Sequence, residues 1–514
     1  MIDTQAIKSK ILDLAICGQL TDRYDGEESG VELVLRIKED GENLVAKKKA
    51  KSQKDFTGEP DTLKAPYDLP FGWAWVPLEI IGAHVPNAFA DGPFGSNLKK
   101  EHYTSKKQVR IIQLSNVGVD GWRNTNEKYT TYEHLATIQR SEVSAGNIVI
   151  AKMMPAGRAI IVPYGVADAF VLSSDCVKFV PHPFLNAQFL CYAINSKWFH
   201  DQVIKDVHGI GRERTSLSNL KKYSLPIPSI GEQERIVAKM DMISHILNDI
   251  DLLQTQYTDN LTALKSKIID AAIQGKLTKQ MPEDGKVDDL YLQVKSEKER
   301  ILKERGGRVD KAIKEIDGNV PYPIPDHWKW IRFGEIGLFK KGPFGSALTK
   351  SMFIPKGPGA IKVYEQQHAI KKNPNLGTYY ISRQYFDEKM KGFEVVSGDI
   401  LVSCAGTIGE TYVMPENIER GIINQALMRV TLVSGINKKF FQYYFDANLK
   451  HSAQAGNGSA IINIPPFDVI KNWYFPLPPI EEQERIITRL DEIFETLNRE
   501  CILPKTVMEN GGCE

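Results

Sequence analysis

The sequence predicts an α+β chain: two mixed α/β domains separated by long antiparallel coiled-coil helices, arranged as a pseudo-twofold internal repeat. Three observations predict it. Short motifs return in the same order in the two halves, apolar residues between them recur at heptad spacing, and two basic blocks alternate with acidic segments. At 514 residues the chain exceeds what one core ordinarily fills. A repeat this long means duplicated domains rather than a short-repeat solenoid.

Residues 1–66 read as a helical segment followed by a linker. SKILDLAICGQLT (Ser9–Thr21) ends the helix and returns as SKIIDAAIQGKLT (Ser266–Thr278). In each copy a glycine, Gly18 or Gly275, stands where a helix-stopping residue belongs. Lys/Glu-rich stretches follow at Val31–Lys51 and Val287–Glu315, and their apolar minority predicts short amphipathic helices. The cluster Lys47-Lys48-Lys49-Ala50-Lys51 reads as solvated linker before it reads as a phosphate contact.

Residues 67–228 form the first mixed domain and 321–478 the second. Pro66-Tyr67 with Trp73 and Trp75 answers to Pro321-Tyr322 with Trp328 and Trp330. GPFGS occurs at Gly92–Ser96 and Gly342–Ser346, and Gly146–Ile150 answers to Gly398–Val402. Apolar runs bounded by Gly and Pro predict strands at Ile148–Ala151, Ala159–Val162, Asp399–Ser403 and Leu427–Val433. Helices are predicted near Phe189–Val203 and Lys438–Leu449. The inserts between motifs diverge more than the helical parts, so one scaffold presents two different surfaces.

Residues 229–320 read as a central helical spacer. Ile236, Met240, Ile243, Leu247, Ile250, Gln254, Tyr257, Leu261, Leu264, Ile268 and Ala271 step alternately by four and three, the seam of a coiled coil. Gln254 is its one polar side chain and is placed to fix register. At ~1.5 Å per residue such a helix is on the order of 60–70 Å long. Its partner is expected from both chain ends, with Ile7, Ile11 and Leu14 on one and Ile486, Leu490, Ile493 and Leu497 on the other. Pro504 and Gly511-Gly512, within the C-terminal segment 479–514, predict that the last helix stops early.

A formal net charge of +1 conceals an uneven distribution. Ala83–Leu225 carries 17 Lys+Arg against 11 Asp+Glu, and Phe333–Phe475 carries 16 against 11, so the rest is acidic. A polyanion is drawn to such a basic pair. No apolar run approaches the ~18 residues that span a bilayer, and the first residues lack a signal-peptide pattern. A cytoplasmic chain without a membrane partner is expected. The cysteines, Cys17, Cys176, Cys191, Cys404, Cys501 and Cys513, form no CxxC pair and read as free thiols.

Catalytic motifs fail on inspection. Asn463-Ile464-Pro465-Pro466-Phe467 is like the Asn-Pro-Pro-Phe motif of amino-group methyltransferases, but Ile464 breaks the spacing and no S-adenosylmethionine loop precedes it. Glu283-Asp284-Gly285-Lys286 holds an Asp-x-Lys triplet in a polar turn, without the strand that positions nuclease carboxylates. Gly209-Ile210-Gly211-Arg212-Glu213-Arg214 has only two of the glycines of a dinucleotide fingerprint, and no GxxxxGK[ST] loop is present. A purely structural coiled-coil adaptor explains the heptads but not the paired basic blocks.

The ILDLAxxGxLT-like helix ends resemble those of the specificity subunit of Type I restriction–modification systems. So do Leu69–Trp75 and Ile324–Trp330, GPFGS, and the PxPxxxEQxRI-like exits Pro226–Ile236 and Pro476–Ile486. The resemblance covers nearly the whole chain, in duplicate. It implies a non-catalytic chain with two target-recognition domains, each reading half of an asymmetric, interrupted site on double-stranded DNA. The helices set the gap and dock two methylation (M) subunits, which carry S-adenosylmethionine and modify adenine. Motor-nuclease (R) subunits using ATP and Mg complete the restriction enzyme. No cofactor or metal is expected on this chain itself.

Candidate DNA-contacting residues follow from side-chain chemistry, since Lys and Arg neutralise phosphate or grip guanine and Gln or Asn pairs with adenine. In the first domain they are Ser96, Lys99, Lys100, Lys106, Lys107, Arg110, Gln113, Asn116, Lys152, Arg158, Arg212, Arg214 and Ser216. In the second they are Ser346, Lys350, Lys362, Gln366, Gln367, Asn457 and Ser459. Gly92 and Gly342 either let backbone approach DNA or serve a tight turn.

Overall fold

The computed structural model describes residues 1–46, 67–153, 155–205, 214–305, 313–455 and 464–500. Lys47–Lys51, Arg212, Asn457, Ser459, Asn463 and the tail from Cys501 lie outside them. The chain divides into two compact units, Met1–Thr255 and Gln256–Glu514.

The first unit contains α1 (Thr4–Ile16), α2 (Gly30–Ala46), α3 (Tyr132–Thr137), α4 (Ala187–Ile194), α5 (Lys197–Lys205) and α6 (Leu217–Leu220). Helix α7 (Ile230–Ile273) begins in the first unit and ends in the second. The second unit adds α8 (Val287–Glu304), α9 (Gln366–Ile370), α10 (Arg383–Tyr385), α11 (Lys438–Ala455), α12 (Phe467–Ile470) and α13 (Ile480–Glu500). The stop at Gly18 is as the sequence predicts. Gly18 has φ +71°, and the amides of Gly18 and Gln19 donate to the carbonyls of Ala15 and Leu14. Gly275, Lys276, Ala272 and Ala271 repeat this cap at the end of α7.

The predicted helix at Phe189–Val203 is instead two, because Asn195 turns on the backbone. Its Oδ1 accepts from Ala159 N at 3.0 Å and its Nδ2 donates to the Cys191 carbonyl at 2.9 Å, ending α4.

Strands of the first unit are β1 (Ala74–Pro77), β2 (Phe89–Asp91), β3 (Val109–Ile112), β4 (Val117–Gly118), β5 (Gly121–Trp122), β6 (Tyr129–Thr130), β7 (Glu142–Val143), β8 (Ile148–Ala151), β9 (Ala159–Ile161), β10 (Ala169–Leu172), β11 (Cys176–Phe179) and β12 (Ser224–Ile227). Those of the second are β13 (Lys329–Arg332), β14 (Gly337–Lys341), β15 (Ile361–Tyr364), β16 (Tyr380–Ile381), β17 (Glu394–Val395), β18 (Ile400–Ser403), β19 (Thr411–Val413), β20 (Gly421–Ile423), β21 (Leu427–Leu432) and β22 (Tyr474–Leu477).

Both domains are one topology. The first has sheets ordered β6-β3-β10-β7 and β2-β11-β8-β9; the second has β16-β15-β20-β17 and β14-β21-β18-β19. In each, the central pair of the first sheet is parallel, β3 with β10 and β15 with β20. The other ladders within these sheets are antiparallel. Apolar runs bury whole strands, as at β8 and β18, where all four residues are inside. A two-stranded ribbon closes each domain, β1 with β12 and β13 with β22, setting Trp75 opposite Pro226 and Trp330 opposite Pro476.

The same three side chains anchor the helix that leaves each domain, two of them to the domain and the third to the loop that follows the repeated helix end. Trp73 Nε1 donates to Glu232 Oε2 at 3.0 Å, and Trp328 Nε1 to Glu482 Oε2 at 2.9 Å. Gln233 Oε1 accepts the Asn186 amide at 3.0 Å while its Nε2 donates to Pro228 O at 3.1 Å; Gln483 does so with Asn437 and Pro478 at 2.8 and 3.0 Å. Arg235 holds both oxygens of Glu27 at 2.5 and 2.9 Å, and Arg485 both oxygens of Asp284 at 2.7 Å. The repeated EQxR is thus a packing device. Asp284 also accepts from Met281 N at 2.7 Å, so the Asp-x-Lys triplet is the structural turn its context predicts.

Along α7 the buried face does not follow one uninterrupted seam. In the first unit Ile236, Met240 and Leu247 are buried, and Gln254 Nε2 donates to Ile2 O at 3.1 Å, so α1 runs antiparallel to this part. In the second unit Ile269, Ala272 and Ile273 are buried in the core that holds Ile486 and Leu490 of α13, one residue past the heptad positions Ile268 and Ala271. A straight helix drifts by about 20° per heptad, so the buried stripe moves off the heptad positions along its length.

Candidate nucleic-acid interface

Exposed candidates in the first domain are Ser96, Lys99, Lys100, Lys106, Lys107, Arg214 and Ser216; in the second, Ser346 and Lys350. Lys107 is 73% exposed and lies 3.3 Å from Glu127, whose carboxyl is held below its ordinary range by bonds from Tyr129 and then Lys107. An ion pair this open contributes little to stability, so the ammonium can exchange its partner for a phosphate. Ser216 caps α6, its Oγ accepting from Asn219 N at 3.1 Å.

Five candidates are half-buried and already engaged. Lys152 Nζ pairs with Asp91 Oδ1 at 2.5 Å. Arg158 Nε donates to Pro155 O at 3.1 Å, and burial together with nearby Arg123 lowers its pKa. Gln113 Oε1 accepts from Asn126 at 2.5 Å, Gln366 donates to the Ala405 and Thr407 carbonyls, and Gln367 Nε2 donates to Glu365 at 2.9 Å.

Three candidates are buried. Arg110 and Asn116 are 0% exposed and Lys362 is 1% exposed, so in this structure they are covered rather than presented on the surface. Arg110 and Lys362 occupy the same place in the two domains, each being the second residue of the middle strand, opposite Tyr129 and Tyr380 respectively. Arg110 donates to Thr125 O at 3.1 Å and lies 5.3 Å from the Tyr129 ring, while its Nε and Nη1 have no protein partner among the described residues. Lys362 pairs with Glu419 at 3.2 Å, which also accepts from Tyr380. Asn116 accepts from Gln113 N at 2.9 Å and donates to the Arg123 and Thr125 carbonyls, closing a turn.

Residue chemistry alone missed a pair of aromatic rings. Phe94 and Phe344, the centres of the two GPFGS copies, are 83% and 89% exposed. The glycines that open these motifs serve packing: a Cβ on Gly92 or Gly342 would overlap the carbonyl of Ser173 or Asn424. Their signal was the exact repetition of a bulky apolar residue between two glycines.

One group among the described residues has metal-ligand chemistry, Asp40, His84 and His182, with ligand atoms within 4.8 Å. His182 Nδ1 accepts the Phe184 amide at 3.3 Å, leaving Nε2–H toward Asp40 at 3.3 Å, and His84 Nε2 donates to Ile37 O at 2.9 Å. These bonds account for the cluster as a hydrogen-bonded tie between α2 and the first domain. Among the described residues no helix is long and apolar enough to cross a membrane.

The profile for the Type I restriction modification DNA specificity domain matches residues 96–256 and 325–503, once in each half. The chain is 23% identical to the Type I restriction enzyme EcoEI specificity subunit of Escherichia coli, over 96% of this chain and 89% of that one. It is 22% identical to the EcoAI specificity subunit of the same species, over 98% and 91%. A solved chain from work on complex assembly and conformational transition of the type I R-M system shares the fold at TM-score 0.55 and 17% identity, covering 85% of this chain and 93% of that one. With two profile matches, each falling on one copy of a duplicated α/β topology, the chain belongs to the family of DNA specificity subunits of Type I restriction–modification systems.

Proposed function

We propose that each target-recognition domain reads one half of an asymmetric, interrupted DNA site, and that this chain selects the sequence while its partners do the chemistry. The observation that carries the reading is one strand order used twice with different side chains on it. A duplicated frame keeps two readers in equivalent geometry, and divergent surfaces let them recognise unlike half-sites. Helix α7, 44 residues long, is the element that sets the unread gap.

Methylation subunits dock on the helices. An exposed apolar stripe supports this, with Met242, Ile246 and Leu253 of α7 at 54%, 51% and 62% exposure. S-adenosylmethionine is held by those subunits, and ATP and Mg by the motor-nuclease subunits. The experiment is methylome sequencing of cells that express the methylation subunit with and without this chain. Interrupted adenine-methylation sites that depend on the chain support the reading; methylation or cleavage by the rigorously purified chain alone overturns it.

A further inference from the structure

The structure assigns Phe94 and Phe344 a shared role: we infer that each ring is a wedge that packs into a base step of the duplex, at a position whose sequence is not read. This rests on the DNA-reading role proposed above and adds a contact to it. Both rings stand on a turn built for rigidity. Gly92 N donates to Cys176 O at 3.0 Å and Gly342 N to Leu427 O at 2.8 Å, seating the start of each turn on its sheet. The next residues, Pro93 and Pro343, are buried. Asn97 N then donates to Phe94 O at 2.7 Å and Ala347 N to Phe344 O at 2.8 Å, closing the turn behind the ring. A Cβ on Gly95 or Gly345 would meet nothing within 4 Å, so the space beside each ring is open.

A phenyl ring held at 83% or 89% exposure gains nothing from its own fold. Its presence at one topological position in both domains points to something that both domains touch. A residue identical in two readers cannot discriminate two different half-sites, so what it touches is common to both. Charge favours DNA as that common surface: exposed Lys99 and Lys100 follow the first turn, and exposed Lys340, Lys341 and Lys350 flank the second. Cations hold the backbone while an apolar side chain enters a base step, the arrangement by which wedge residues deform a duplex.

The test uses Phe94→Ala, Phe344→Ala and the double variant in the full chain with its methylation subunits, bound to a mixed-sequence duplex and to a duplex carrying its methylated site. Each single variant should weaken binding to both duplexes by roughly tenfold, as removal of one base–aromatic stack does. The dependence on salt should not change, because no phosphate charge is released. An unchanged melting temperature shows that the fold is intact. If the wild-type complex binds neither duplex, the DNA-reading proposal itself fails. If the wild type binds and the variants bind equally well, only the wedge is wrong. If the variants lose methylation subunits but keep DNA affinity in the remaining chain, the rings are a protein-docking surface and the inference is overturned.

Discussion

The indole N–H of Trp73 meets the carboxylate of Glu232 at 3.0 Å although 159 residues separate them, and Trp328 and Glu482 repeat the bond at 2.9 Å. It ties the residue just before β1 or β13 to the first turn of the helix that leaves each domain. Glu232 is 1% exposed, and burial raises its pKa against the lowering effect of Trp73. Glu232→Ala should destabilise the first unit by about 1–3 kcal/mol, since it strands a buried indole donor, while Glu232→Gln keeps an acceptor and loses less. Urea unfolding checks this; an alanine variant as stable as wild type would remove the clamp from the account.

Acid should loosen a different pair of contacts on the same helices, Arg235 with Glu27 and Arg485 with Asp284. Bonds from Arg235 hold the pKa of Glu27 down, and bonds from Arg485 hold that of Asp284 down. A carboxylate with a depressed folded pKa contributes stability above its unfolded pKa of about 4 and loses it as pH falls through the folded value. Stability should therefore fall below about pH 4. Glu27→Gln and Asp284→Asn should each flatten that fall in a pH series of melting curves. A series as steep in the variants as in wild type would place the acid sensitivity elsewhere.

Exposed and buried cations should separate in a salt titration. Gln substitutions at Lys99, Lys100, Lys106 and Lys107 should reduce the slope of log affinity against log salt by about 0.9 for each phosphate no longer neutralised, with little effect on melting. Arg110→Ala should act in the opposite way, lowering stability by opening the β3 core while leaving the slope of the folded fraction unchanged. An Arg110 variant that melts normally and loses slope would show that its guanidinium reaches DNA.

The contrast between Lys99 and Arg110 also shows where the sequence was legible. Duplication, the stops at Gly18 and Gly275, and the strands β8 and β18 were all written in local signals: identity, glycine position and apolar runs. The equivalence of β3 and β15 was not, because a parallel pair such as β3 with β10 joins segments whose spacing carries no local mark. Whether a cation faces solvent depends on that hidden pairing, so side-chain chemistry alone puts Arg110 and Lys362 on the surface and the strand pairing puts them inside. The Glu232 and Gln233 roles were hidden for a related reason. Trp73 comes beside Glu232 when β1 pairs with β12, and Asn186 comes beside Gln233 when α4 packs against β12. On α7 the heptad positions Ile236, Met240 and Leu247 are buried in the first unit, while in the second Ile269 is buried and the heptad position Ile268 is only partly buried against the same core.

The most direct test of the central claim is replacement of residues 83–225 by the equivalent domain of a relative with a different target, read out as adenine methylation across a genome. Two independent readers on one duplicated frame predict that one half-site changes to that of the donor while the other half-site is retained. A change in both half-sites at once, or in neither while methylation persists, would contradict the account.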